Sequence, residues 1–159
     1  MPQKITKKEL FDLIGQEIGC SDWFYINQER INKFGDVTED HQYIHTNPEK
    51  AKDSPFGGTI AHGMLTLSMI VHLCNKFAPD IDGLQMVINY GFDKIRFVTP
   101  VKVEKSIRAR ALLLEAKEIR GNVLVKTKIT IEIEGEKKPA LVAEWLTMHV
   151  IDRKSTRLN

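Results

Sequence analysis

The spacing of apolar positions changes part-way along the chain. Leu10, Leu13, Ile14 and Ile18 repeat at helical spacing behind Thr6-Lys7-Lys8-Glu9. That tetrapeptide is a capping box, in which a hydroxyl and a carboxylate three residues apart satisfy two orphan amides. It predicts an N-terminal helix within residues 1–19, stopped at Gly19. Asp22-Trp23-Phe24-Tyr25-Ile26 is aromatic and β-branched and predicts a short strand. Asn27 caps a second helix through about Gly35, with Ile31 and Phe34 inward. Residues 36–47 show no clear period and read as irregular. Pro48 then opens a short helical turn, with Glu49 near its positive end. Ser54-Pro55-Phe56-Gly57-Gly58-Thr59 is a loop signal.

From about His62 to Phe77 the periodicity gives way to nearly continuous apolarity, with Met64, Leu65, Leu67, Met69, Ile70, Leu73 and Cys74. A helix apolar around most of its circumference belongs inside a domain. Beyond Pro79-Asp80-Ile81-Asp82-Gly83 the period becomes two. Strands are predicted at 84–89, 94–98, 103–117, 122–134 and 140–151, most clearly over Val125–Ile133. The turns between the late strands are too short for helical crossovers, so the pairing is antiparallel. The fold class is therefore α+β: one curled antiparallel sheet around one buried helix.

Composition narrows this picture. A chain of 159 residues predicts one domain able to build a real core. With 42% hydrophobic residues, 28% charged residues and a net charge of +2, it is ordinary globular sequence. That balance gives no electrostatic reason to bind nucleic acid. No run approaches the ~18 apolar residues of a membrane span. The start, Met1-Pro2-Gln3-Lys4, shows no secretory signal, so a cytoplasmic setting is expected. Cys20 and Cys74 form no C-x-x-C pair and no zinc framework; both are expected to be free, buried or semi-buried, and structural. The polar segment 152–159 is expected to be a disordered or non-native tail, and the domain to span 1–151.

Two segments combine ionisable groups with backbone-exposing loops. In the first, Asp40 and His45 stand five apart. On a helix they would diverge, but on an irregular loop they can converge on one water. A carboxylate and an imidazole there can activate water and return a proton elsewhere. In the second, Gly63 opens the buried helix, where first-turn amides lack internal partners and carry the positive end of the dipole. Such an amide can stabilise negative charge growing on a carbonyl oxygen. Taken singly, Asp40 also reads as a turn or capping residue, His45 as a surface or hydrogen-bonded histidine, His62 as a helix N-terminal residue packed on the loop and Gly57-Gly58 as a flexible turn. His41 and His45 have a conceivable metal spacing, but Gln42 stands where a zinc-protease helix has Glu.

Together the segments carry a resemblance. Phe34–Pro48, with D-H-Q-x-I-H, and Pro55–Leu67, with P-F-G-G-T-I-A-H-G-M-L, resemble the paired motifs of MaoC-like (R)-specific enoyl-CoA hydratases. With Ile88-Asn89-Tyr90-Gly91 and Arg96-Phe97, the match is closest to the NodN-like branch and covers about residues 20–150. The resemblance implies a hotdog fold, usually dimeric, with no metal and no redox cofactor. It implies reversible hydration of a trans-2-enoyl-CoA to a (3R)-3-hydroxyacyl-CoA. It puts the catalytic acid–base pair on Asp40 and His45 and the oxyanion amide on Gly63, with His62, Gly58 and Asn89 as further substrate contacts. Lys94, Arg96 and Lys102 are either contacts for CoA phosphates or solvated strand charges. The chain departs from the commoner motif at Gln42-Tyr43, Asn47 and Val71. Two other readings stay open: a hotdog acyl-CoA thioesterase, and a non-catalytic acyl-CoA or lipid-signal binding module.

Overall fold

The period-two half of the chain becomes four long strands: β5 (Leu84–Phe97), β6 (Ser106–Ile119), β7 (Asn122–Ile133) and β8 (Leu141–Ile151). The computed structural model describes residues 3–152; the expected tail at 152–159 lies outside them except for Asp152, whose amide donates to the Gly83 carbonyl at 2.8 Å. β6, β7 and β8 pair antiparallel in sequence order, and β5 pairs with the outer side of β8. The short strands β2 (Glu17–Cys20) and β3 (Phe24–Tyr25) run along the other side of β6. The sheet order is therefore β2-β6-β7-β8-β5, with β5 at one edge.

Alternation then builds the core. Ile107, Ala109, Ala111, Ile129, Ile131, Leu141 and Ala143 share one buried face. Against it lies the apolar helix, as α5 (Gly63–Ser68) and α6 (Ile70–Cys74). Leu65, Met69, Ile70, Leu73 and Cys74 form its buried stripe. This is the expected α+β architecture. The helix is shorter than the span 62–77 and is interrupted at Met69, whose amide is shared between the Leu65 and Thr66 carbonyls. Pro79 disfavours helical backbone at the residue before it, so the chain leaves the helix through a turn in which the Phe77 and Ala78 amides return to the Cys74 carbonyl.

The N-terminal helix is also shorter than expected. α1 (Lys7–Asp12) carries the capping box, with Glu9 N–H on Thr6 Oγ1 at 3.1 Å and Thr6 N–H on Glu9 Oε2 at 2.7 Å. It ends before Ile18, which lies in β2. Ile18 fits a helical repeat by spacing, but a β-branched residue fits a strand as well, and β6 offers unpaired backbone groups. Gly19 is not a helix stop. The Phe77 ring occupies the space a Cβ would need, with Cγ nearest that position. β1 (Lys4–Ile5) pairs parallel with β4 (Asp80–Ile81), and Leu10 and Ile81 join Leu113, Val123 and Ile151 in a second core.

Three further expectations are corrected. β5 is continuous across 84–97, because bulges near Asn89/Gly91 and Phe92/Lys94 absorb the break in alternation. Residues 36–47 are largely helical: α2 (Gln28–Thr38) runs past Gly35, and α3 (Tyr43–Thr46) follows, directly before α4 (Pro48–Ala51). Cys74 is buried, and burial pushes its thiol up to about 12, but Cys20 is exposed near the end of β2. Among the described residues no helix is long and apolar enough to cross a membrane.

His149 on β8 is a buried polar residue in this core, 4% exposed. Burial lowers its pKa from the usual 6.5 to about 4. As pH falls, the unfolded chain therefore takes up this proton before the folded one, and stability present at pH 7 is lost between about 6.5 and 4. The full loss from this group is about 3 kcal/mol. His149→Phe should remove that component, so denaturation midpoints measured from pH 7 to 4 should fall less steeply than in wild type. Parallel slopes would contradict the assignment.

Candidate active site

α2 ends at Thr38, and Glu39 caps it in the left-handed region at φ 61°. This reversal lets the Asp40 amide return to the Gly35 carbonyl at 3.1 Å. The Asp40 carboxylate is exposed, and Oδ1 accepts from Gln42 N–H at 3.3 Å. α3 then carries His45 inward to 7% exposure. His45 Nδ1 lies 2.8 Å from the Ile60 carbonyl, while Ile60 N–H donates to the Ile44 carbonyl at 2.9 Å. The segment is fixed from its other side by an isolated bridge between Ile60 and Lys102 and by Ala61 N–H on the Val101 carbonyl. Gln28 of α2 donates from Nε2 to the His45 carbonyl at 2.7 Å, and accepts from Thr59 Oγ1 at 2.5 Å.

His62 is buried behind this pair. Its Nε2 lies 3.0 Å from the main-chain oxygen of Asp40, and its ring stacks on His45 at 4.0 Å between centroids. Phe34 closes the other side at 5.0 Å. One polar atom from each of Asp40, His45 and His62 falls within 4.8 Å of the others.

The carbonyl contacts decide the chemistry. A carbonyl only accepts, so His45 carries its proton on Nδ1 and, when neutral, a lone pair on Nε2. Burial is the largest influence on His45 and lowers its pKa; His62 adds to this, while the Ile60 hydrogen bond and Asp40 oppose it. The imidazole is thus neutral at physiological pH, a base with its free nitrogen beside a carboxylate. Gly63 is the first residue of α5, so its amide has no partner within the helix. A Cβ there would stand 2.9 Å from Phe97 Cε1, so the residue must be glycine unless the ring moves. Beside them lies a cavity of about 230 Å³ whose lining includes His45, Ile60, Gly63, Thr66 and Phe97.

Four of the six residues singled out in the sequence come together: Asp40, His45, His62 and Gly63. Gly58 stays in the 54–59 loop. Asn89 lies on β5, where its Oδ1 accepts the Trp145 indole N–H at 3.1 Å. His41 turns to Asp36, at 2.9 Å, and does not pair with His45. Among the described residues, the set that could present three atoms to a metal is instead Asp40, His45 and His62, although one nitrogen of each imidazole is committed to a carbonyl. Lys94, Arg96 and Lys102 are exposed. No sequence signal marks Gln28, Gly35 or the Ile60 carbonyl as supports, since each acts through a contact that only the fold creates.

Residues 10–135 match the family model for the MaoC like domain. The chain belongs to the MaoC-like dehydratase family. It is 46% identical over 141 residues to Nodulation protein N of Rhizobium leguminosarum bv. viciae, covering 87% of this chain and 88% of that protein. It is 42% identical over 137 residues to 3-hydroxyacyl-thioester dehydratase Z of Mycobacterium tuberculosis, covering 86% and 90%. Among solved structures, the MaoC-like dehydratase from Rhodospirillum rubrum superposes with a TM-score of 0.73 at 17% identity, over 93% of this chain and 98% of that one. The (R)-hydratase from A. caviae gives 0.67 at 22% identity, over 84% and 94%. These likenesses establish the hotdog fold of this MaoC-like domain.

The Gly35 contact offers a test of how the site is held. A Cβ on Gly35 would stand 2.9 Å from the Asp40 carbonyl oxygen, the acceptor of His62. Gly35→Ala should displace that carbonyl, destabilise the domain by about 1–3 kcal/mol and shift the His62 ring resonances. Unchanged melting and an unchanged His62 spectrum would show that the carbonyl is not so tightly placed.

Proposed function

We propose that this MaoC-like protein catalyses the reversible, (R)-specific hydration of a trans-2-enoyl-CoA to a (3R)-3-hydroxyacyl-CoA. The observation that carries this reading is the neutral, Nδ1-protonated His45 beside the Asp40 carboxylate, at the mouth of a cavity that also holds the Gly63 amide. A water between His45 Nε2 and the Asp40 carboxylate gives its proton to the imidazole as its oxygen bonds to C3. The C2=C3 electrons move toward the thioester, and the Gly63 N–H stabilises the oxygen that gains charge. The imidazolium then gives its proton to C2. One water is consumed, and both catalytic groups regain their starting protonation. His62, stacked on His45 and tied to the Asp40 main chain, fixes the pair's orientation.

The family membership and the dehydratase relative support a hydro-lyase. The acyl-CoA carrier and the stereochemistry are the further step taken here. We also propose that the protein is a homodimer joined along β5. That edge presents Met86, Ile88 and Tyr90 at 46–62% exposure, and a long apolar edge in water is a hazard that pairing removes.

Loss of enoyl-thioester absorbance with crotonyl-CoA, followed by chiral analysis of the product, tests the reaction. Asp40→Asn and His45→Gln should each lower kcat by about 10²–10⁴-fold with the fold retained. Wild-type rates in both would dismiss the assignment, and release of free thiol in place of hydration would favour a thioesterase. Because burial lowers the His45 pKa, activity should persist below the ordinary imidazole value of about 6.5 and fall only as pH drops further. An acid limb above that value would mean that another group limits the reaction. Sedimentation should show a dimer, and Ile88→Lys with Tyr90→Lys should shift it toward monomer.

A further inference from the structure

A second cavity, of about 70 Å³, lies at the far end of the buried helix. Ile18, Cys74, Phe77 and Val87 give it carbon walls, and three polar residues share its lining: Thr127 of β7 with Thr147 and His149 of β8. All three are buried. Thr147 Oγ1 and His149 Nε2 stand 3.2 Å apart, but His149 Nδ1 is buried with no hydrogen-bond partner among the described residues. A neutral imidazole carries one N–H and one bare nitrogen. If Thr147 donates to Nε2, Nδ1 is a donor without an acceptor. If Thr147 accepts from Nε2–H, Nδ1 is an acceptor without a donor. A hydroxyl group both donates and accepts, so it completes either arrangement.

The two cavities share one wall. In the β5–β8 register Phe97 stands opposite Leu141, Ile95 opposite Ala143, Phe92 opposite Trp145, Asn89 opposite Thr147 and Val87 opposite His149. Phe97 lines the active-site cavity, and Val87 and Trp145 line the second. Phe97, Phe92 and Val87 remain 53%, 37% and 48% exposed, and their side chains form an apolar track along β5 between the two cavities. Along the helix, Thr66 marks the first cavity and Cys74 the second, about 12 Å apart at 1.5 Å per residue. Asn89 sits on this track, against the Trp145 indole.

We infer that the preferred substrate is a medium- or long-chain acyl thioester with a hydroxyl group toward its far end, received by His149 and Thr147. This rests on the hydratase reading of the first cavity, which sets where the thioester lies.

Saturated acyl-CoAs cannot be hydrated, so their binding reports the seat apart from the reaction. Calorimetry would compare pairs of increasing length, each with and without a terminal hydroxyl. Once the chain is long enough to span the track, the hydroxylated member should bind about tenfold tighter, equivalent to about 1.4 kcal/mol. Thr147→Val and His149→Phe should each reduce that preference to about twofold or less. If His149→Phe fails to fold, Thr147→Val decides, since valine keeps the shape of threonine. Equal affinities within every pair, or a preference that survives substitution, would overturn the inference. Crotonyl-CoA is too short to reach this cavity, so its hydration by wild type tests the first cavity alone. Hydration without a hydroxyl preference refutes only the inference; a hydroxyl preference without hydration refutes only the reading of the reaction.

Discussion

Leu65, Met69, Ile70 and Leu73 pack against Ala109, Ala111, Ile129 and Ala143, and this contact between helix and sheet fixes where the rest of the chain can go. Each large apolar side chain removed from water contributes about 1.5–3 kcal/mol. The alanines on the strands are small enough to let the helix approach closely. Once the helix is seated, its first residue is seated too. The Gly63 amide and the His62 ring are therefore placed by hydrophobic packing, although neither contributes to it in quantity. The same packing leaves β5 outermost, with one side of its backbone free.

The polar site is built on that frame from two segments that exchange backbone and side-chain hydrogen bonds. Ile60 gives its amide to Ile44 and its carbonyl to His45, so one residue holds both the main chain and the ring of the neighbouring segment. Gln28 repeats this arrangement one layer further back, bridging His45 and Thr59. The result is an imidazole whose tautomer is set by geometry and whose charge is suppressed by burial. Asp40 stays at the surface, where its carboxylate is open to solvent. Imidazole and carboxylate thus differ in environment as well as in chemistry, one buried and the other exposed.

Much of this was legible in the sequence because it depends on local rules. The Thr6–Glu9 capping box, the Asn27 cap and the alternation through Val125–Ile133 each need only a few neighbouring residues. The all-apolar run after Gly63 announced a buried helix for the same reason. Ile18 was misread because its spacing satisfies a helix, while the free edge of β6 that claims it is some ninety residues away. The irregular reading of 36–47 failed because α3 and α4 are too short to show a period. At the site, Asp40, His45, His62 and Gly63 were recognisable by motif. Gln28 and the Ile60 carbonyl were not, since an amide side chain and a main-chain oxygen acquire their roles only from distant partners. His149 is the clearest case of this kind. In the sequence it is one more residue on a strand, and its unpaired nitrogen exists only once β7, β8 and the helix have closed over it.

Phe97 stands at the end of the open-edged strand, and its ring fills the space that any side chain at position 63 would occupy. Close-packed interiors pass displacement on and do not absorb it. A lateral movement of β5 therefore meets the helix at its first residue, with no compliant group between. Whatever steadies that edge also steadies the Gly63 amide at the head of α5. The outer rim of the sheet and the head of the helix thus behave as one rigid lever, and the placement of the Gly63 amide is set in part by what the rim touches.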